Sequence, residues 1–271
     1  MKKSNKSTII LILVFFAGLS LLLYPTVSDY WNSFHQTRAI AQYEESVANL
    51  NEDTYQKYMD DARRYNERLV TKSNRLNPTQ EDLKEYNSLL NATENGIMGY
   101  IEIPNINCLL PIYHGVEETV LQIAIGHIPG TSLPVGGEST HCVISGHRGL
   151  PSAKLFTNLD KVVEGDHFIL QVLGETFTYK VDQILIVEPD EIDALEIENG
   201  KDYCTLITCT PYGINSHRLL VRGHRIDNID DASLRVTADA RQIEPALVAP
   251  LVAVPILLVL LIVLLVKYRK R

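Results

Sequence analysis

A mainly β domain of barrel or sandwich type, preceded by a helical arm and flanked by two apolar segments, is the architecture this 271-residue chain predicts. Three observations carry it. From Gly96 onward, short runs rich in β-branched and aromatic residues alternate with Gly and Pro, the pattern of strands joined by turns. Between Asp29 and about Leu90 the chain is polar, with apolar residues at helical spacing. Residues 8–24 and 246–266 carry no charge at all. With 45% hydrophobic side chains the chain is too apolar for disorder and long enough for one well-buried domain.

Taken in order, Lys2, Lys3 and Lys6 precede the first apolar segment, and Lys267, Arg269, Lys270 and Arg271 follow the second. The positive-inside rule then puts both termini in the cytoplasm and everything between them outside. The second segment is long enough to cross a hydrocarbon core of about 30 Å. The first is shorter, and a cleaved signal peptide with Thr26-Val27-Ser28 as its small-residue site is the rival reading; the compartment is the same either way. Tyr55, Tyr58, Met59, Ala62, Tyr65 and Leu69 mark the amphipathic face of the arm. A break at residues 74–78 ends the helix, because the residue before Pro78 is pushed out of the α region. Asn91-Ala92-Thr93 matches a glycosylation sequon, a pattern too short to carry weight.

The β-type runs are 100–103, 109–113, 141–145, 167–172, 176–187, 203–210 and 217–226, with a short helix over 115–124 and no internal repeat. The domain reading is therefore a cytoplasmic N-terminus (1–7), a membrane segment (8–24), a helical arm and linker (25–95), a β domain (96–228), a linker (229–245), a second membrane segment (246–266) and a tail (267–271).

Between the two apolar segments lie all 33 acidic residues and 18 of the 25 basic ones, a balance of −15. Such a surface argues against nucleic acid as a partner and mildly favours basic ones. Cys108, Cys142, Cys204 and Cys209 all fall in the exported region, where three full disulfide pairings are open to them. A domain of this size stands without such staples, so free thiols are equally compatible, one of them chemically active.

The chemistry centres on Cys209. In the strand ending Thr205-Leu206-Ile207-Thr208-Cys209, alternation points Tyr203, Thr205, Ile207 and Cys209 one way and Cys204, Leu206 and Thr208 the other. Thr210-Pro211-Tyr212-Gly213 closes that strand, leaving the Cys209 thiol at a rim. A cysteine attacks as thiolate, and an ordinary thiol with pKa about 8.5 needs a base or cation beside it. His147, between glycines in Ser145-Gly146-His147-Arg148-Gly149, and Arg218, which opens the next run across a short loop, are the two candidates. His35, His114, His127, His141, His167, His217 and His224 read as ordinary surface or core residues. His141, Cys142 and His147 are close in sequence, as are Cys204 and Cys209, but no C-x-x-C or H-E-x-x-H spacing is present, so neither metal nor cofactor is expected.

The run from about Gly96 to Ile226 resembles a sortase catalytic domain. Thr205-Leu206-Ile207-Thr208-Cys209 matches that family's T-L-x-T-C motif, and the phrases Ser145-Gly146-His147-Arg148-Gly149-Leu150-Pro151 and Thr210-Pro211-Tyr212-Gly213-Ile214-Asn215-Ser216-His217-Arg218 resemble class C, the pilus polymerases. The resemblance implies an eight-stranded β-barrel in a Gram-positive cell membrane, with Cys209 as nucleophile, His147 as acid/base and Arg218 as electrostatic stabiliser. Thr208 and Thr210 become secondary candidates for oxyanion or substrate contacts. It further implies cleavage of a Leu-Pro-x-Thr-Gly-like sorting signal through a thioacyl intermediate, then transfer to a lysine amine of another pilin. A cell-wall-anchoring relative using a peptidoglycan amine is the alternative within the family, and a non-catalytic adhesin or assembly scaffold the alternative outside it. Class C sortases commonly carry an Asp-Pro-aromatic lid segment upstream of the barrel. This chain has no Asp-Pro pair; the nearest counterpart, Asn77-Pro78-Thr79, lacks both carboxylate and ring, which predicts a weakly held lid and an accessible Cys209.

Overall fold

The computed structural model describes residues 4–93, 95–228, 253–263 and 266. The expected linker 229–245, the tail 267–271 and the ends of the 246–266 segment lie outside the described residues.

Helix α1 (Ser4–Ala48) is one continuous helix of 45 residues, about 68 Å at 1.5 Å per residue. Its N-terminal part is long and apolar enough to cross a membrane. It runs on through Pro25, so the boundary drawn after residue 24 is a change of composition and not a break in the chain's path. Farther along, α1 buries Ile40 and Tyr43 against the β domain. The Tyr43 hydroxyl donates to the carbonyl of Met98 at 3.0 Å and accepts from the N–H of Leu173 at 2.8 Å. Burial raises its pKa, so it stays a neutral donor. A shorter apolar helix covers Ala253–Val263.

Helix α2 (Glu52–Thr71) opens on Asn51, whose side chain accepts from Thr54 N, with Glu52 and Asp53 complementing the positive end of the helix. Met59, Ala62, Tyr65 and Leu69 form its buried stripe, as their spacing predicts. Asn66, on the same side, donates to the Leu133 carbonyl and accepts from the Leu133 N–H, fixing α2 to a barrel loop. Helix α3 (Gln80–Ser88) begins with a capping box in which Thr79 and Asp82 satisfy each other's backbone N–H.

Eight strands follow: β1 (Ile97–Ile103), β2 (Cys108–His114), β3 (Ile125–His127), β4 (Thr140–Ser145), β5 (His167–Val172), β6 (Glu175–Val187), β7 (Asp202–Thr210) and β8 (His217–Ile226). They close into a barrel in the order β1-β2-β3-β4-β7-β8-β6-β5, with β5 returning to β1. The pairs β2/β3 and β4/β7 are parallel and the rest antiparallel. Closure leaves no edge strand, and the interior is filled by Ile101, Phe156, Phe168, Tyr179, Cys204 and Leu206 among others. The sequence reading misses β3, whose three residues are too few for an alternation to register, and starts β1 three residues late. The expected helix over 115–124 shrinks to one turn, α4 (Glu118–Leu121).

Tyr43→Phe tests the docking of α1, because it strands the buried Leu173 N–H without a partner. The expected cost is about 1–3 kcal/mol in chemical denaturation. Unchanged stability would mean that the hydroxyl does not hold α1 to the barrel.

Candidate active site

Cys209 occupies the penultimate position of β7, half-buried, while Cys108, Cys142 and Cys204 are buried. All four are free thiols. Alternation along β7 is as the sequence predicts: Cys204 and Leu206 join the barrel core, whereas Ile207 packs in a second apolar cluster on the outer face with Val143, Val187, Leu195 and Leu220. Cys209 shares the face of Ile207. Cys204 faces Cys142 across the β4/β7 ladder inside the barrel. Burial pushes the thiol of Cys204 well up and that of Cys108 to about 12, which leaves both inert as nucleophiles.

Arg218 is brought to Cys209 by strand register. In the antiparallel β7/β8 pair Cys209 lies directly opposite Arg218, and Thr210 opposite His217. Directly opposed residues have Cβ atoms about 4.5–5.5 Å apart on the same face. The guanidinium Nη1 donates to the carbonyl of His217 at 3.2 Å and of Asn215 at 3.4 Å. Its remaining donors have no carboxylate partner among the described residues.

His147 approaches from the other side. The parallel β4/β7 ladder ends at Ser145 opposite Ile207, and Gly146 continues it by donating to the Ile207 carbonyl at 3.0 Å. Thr208 Oγ1 donates to the Gly146 carbonyl at 2.8 Å. His147 is the next residue, so the ladder delivers it beside the end of β7. A Cβ on Gly146 would come within 2.7 Å of both Ile125 and Phe156, so only glycine lets this turn pass. The His147 side chain is 28% exposed, and its Nε2 lies 3.4 Å from Glu118 Oε2.

Thr208 is buried on the interior face with its hydroxyl committed to Gly146, so it pins the His147 loop to β7 and does not face the Cys209 sulfur. The Thr210 hydroxyl accepts from Arg148 Nη1 at 3.5 Å. Asn77 and Thr79 have partners elsewhere: the Asn77 N–H closes a turn onto the Asn74 carbonyl, and Thr79 caps α3. Among the described residues, no hydrogen bond or ion pair joins Asn77, Pro78 or Thr79 to Cys209, His147 or Arg218. The nearby Arg75 is buried and donates to the carbonyls of Gly130 and Leu195, holding this segment on the barrel wall.

Arg148 has a larger part than the sequence suggests. Its nearly buried guanidinium pairs with Asp160, lies 5.8 Å from the Tyr212 ring centroid and reaches Thr210, tying the loop after His147 to the β7–β8 turn. An open cavity of about 470 Å³ lies here, lined by Arg148, Asp160, Ile184, Ile186, Tyr212 and Leu219. Nothing in an Arg-Gly pair announces a buried cation. The other buried histidines are structural: His114 bonds Leu89 and Gly96 carbonyls, His127 bonds Tyr86 and the Ser132 carbonyl, and His141 bonds Thr205 and the Glu196 carbonyl.

A cysteine at the rim of a closed eight-stranded barrel, with arginine opposite and histidine on its flank, is a sortase-type arrangement. Residues 101–226 match the Sortase domain family model. Sortase C1 from Streptococcus agalactiae is 52% identical with a TM-score of 0.69, the match covering 71% of this chain and all of that one. Streptococcus pneumoniae sortase C is 42% identical with a TM-score of 0.62, over 70% of this chain and 97% of that one. Sortase D of Bacillus subtilis is 30% identical over 131 residues, which span 47% of this chain and 63% of the relative, less than two thirds of its length. The chain belongs to the sortase family, and its likeness to the sortase C proteins puts it in class C.

On native protein, a small alkylating reagent is expected to modify Cys209 alone, with Cys108, Cys142 and Cys204 reacting only after unfolding; peptide mass mapping reads the outcome. Labelling of Cys142 or Cys204 in the folded protein would contradict the strand faces given above.

Proposed function

We propose that the chain is a membrane-anchored cysteine transpeptidase that cleaves Leu-Pro-x-Thr-Gly-like sorting signals and joins pilin subunits through a lysine amine. The observation that carries this is the direct opposition of Cys209 and Arg218 in the β7/β8 register. The Cys209 thiolate attacks the carbonyl of the signal's Thr, forming a C–S bond. Arg218 donates to the oxygen as it gains negative charge. His147, as imidazolium, protonates the departing glycine amine as the C–N bond breaks, leaving a thioester and a neutral imidazole. The acceptor amine then attacks the thioester, with His147 as base. The Thr210 main-chain N–H, next to Cys209 in the chain, is a second oxyanion donor in this scheme.

Cys209 is only partly buried, unlike the other three cysteines, which speaks against a scaffold with a buried cysteine. A pilin lysine as acceptor, in preference to a peptidoglycan amine, follows from the likeness to the sortase C proteins, of which the pneumococcal one is described with pilin substrate specificity. The acidic balance of −15 between the apolar segments suits a lysine-bearing partner. The apolar part of α1 would anchor the enzyme, with the barrel outside the membrane and both termini in the cytoplasm.

Cys209→Ala is expected to form no thioester with a Leu-Pro-x-Thr-Gly peptide by intact-mass analysis while unfolding at the wild-type temperature. Polymerisation by the folded variant would end the assignment. Arg218→Lys keeps the charge but loses the planar fork of donors, so the acylation rate is expected to fall about 10²–10³-fold. A near wild-type rate would reduce Arg218 to a general positive charge.

A further inference from the structure

Beside His147 stands a carboxylate with no part in the steps above. Glu118 is the first residue of α4 and is 69% exposed, with Oε2 at 3.4 Å from His147 Nε2. Gln122, one turn on, donates to its other oxygen. The turn is itself fixed, since Gln36 of α1 donates to the Ile123 carbonyl at 2.6 Å and the N–H groups of Leu121 and Gln122 bond back to Glu117 and Glu118. The Gln122 amide, and after it His147, hold the Glu118 carboxyl below the ordinary carboxylate range, so it is ionised at neutral pH.

An alkyl amine with pKa about 10.4 arrives in water as an ammonium, which has no lone pair with which to attack. It must be bound as a cation and deprotonated where the thioester waits. We propose that Glu118 is the acceptor-binding residue, pairing with the incoming lysine ammonium and presenting it to the adjacent His147. This rests on the transpeptidase reading above. The ammonium gives one proton to the neutral imidazole, the freed amine nitrogen bonds to the thioester carbonyl carbon, and the C–S bond breaks to return the Cys209 thiolate. The second nitrogen proton leaves to water, so the products are the amide, the thiolate, the imidazolium and one hydron. An exposed carboxylate in this place selects cationic amines over neutral nucleophiles.

The test compares full-length wild type with Glu118→Gln, both acylated by a Leu-Pro-x-Thr-Gly peptide. Two acceptors are used: a lysine-bearing peptide, and hydroxylamine, which is uncharged at neutral pH. The readout is the ratio of kcat/KM for lysine to kcat/KM for hydroxylamine. The expected result is a ratio about three- to fivefold lower in Glu118→Gln, the size of one exposed ion pair. An unchanged ratio overturns the proposal, whether both rates fall together, as a purely structural effect on His147 would produce, or neither falls. A wild-type protein that forms no thioester would instead remove the transpeptidase reading beneath it.

Discussion

The register of β7 against its two neighbours is the constraint on which the site depends. Cys204, Leu206 and Thr208 must face the barrel interior, and the period of two then commits Cys209 to the outer face. On one side the antiparallel ladder with β8 sets Arg218 opposite Cys209; on the other, the parallel ladder with β4 runs out at Gly146 and delivers His147. A slip of one residue in either pairing would turn Cys209 or one of its proposed partners into the core. The Thr208–Gly146 bond and the close packing of Gly146 on Ile125 and Phe156 guard the second of these registers.

Much of this was legible in the residues. The β-rich run from 203 to 210, its turn and the strand after it give the Cys209–Arg218 hairpin, because antiparallel neighbours joined by a short loop have few registers open to them. The nearness of His147 was not derivable in the same way: β4 and β7 are parallel and separated by more than fifty residues, so no local pattern records their pairing. It came from the resemblance of motifs. Strand β3 was too short to show an alternation. The roles of Arg148 and Glu118 depend on where distant loops converge, and a sequence shows neither residue as more than a surface charge.

The long first helix links its apolar stretch to the candidate site. After the apolar stretch, Asp29 accepts from the Lys154 N–H, Asn32 donates to the Ser152 carbonyl and Gln36 to the Ile123 carbonyl. Ser152 and Lys154 belong to the loop that follows His147, and Ile123 to the turn that carries Glu118. One continuous helix thus grips both segments that flank the histidine, so its axis fixes how the rim is oriented to the apolar stretch of α1. The arm of α2 and α3 is bound to the barrel by Asn66, Arg75 and Tyr86.

Register brings Cys209, Arg218 and His147 to one rim, where their proposed parts are nucleophile, oxyanion donor and base. The crystal structure of the protein acylated on Cys209 by a Leu-Pro-x-Thr peptide tests this assignment most directly. The thioester oxygen is expected about 3 Å from an Arg218 guanidinium nitrogen, with the His147 imidazole on the opposite side of the sulfur. A thioester oxygen held by other donors, with Arg218 turned to solvent, would contradict it.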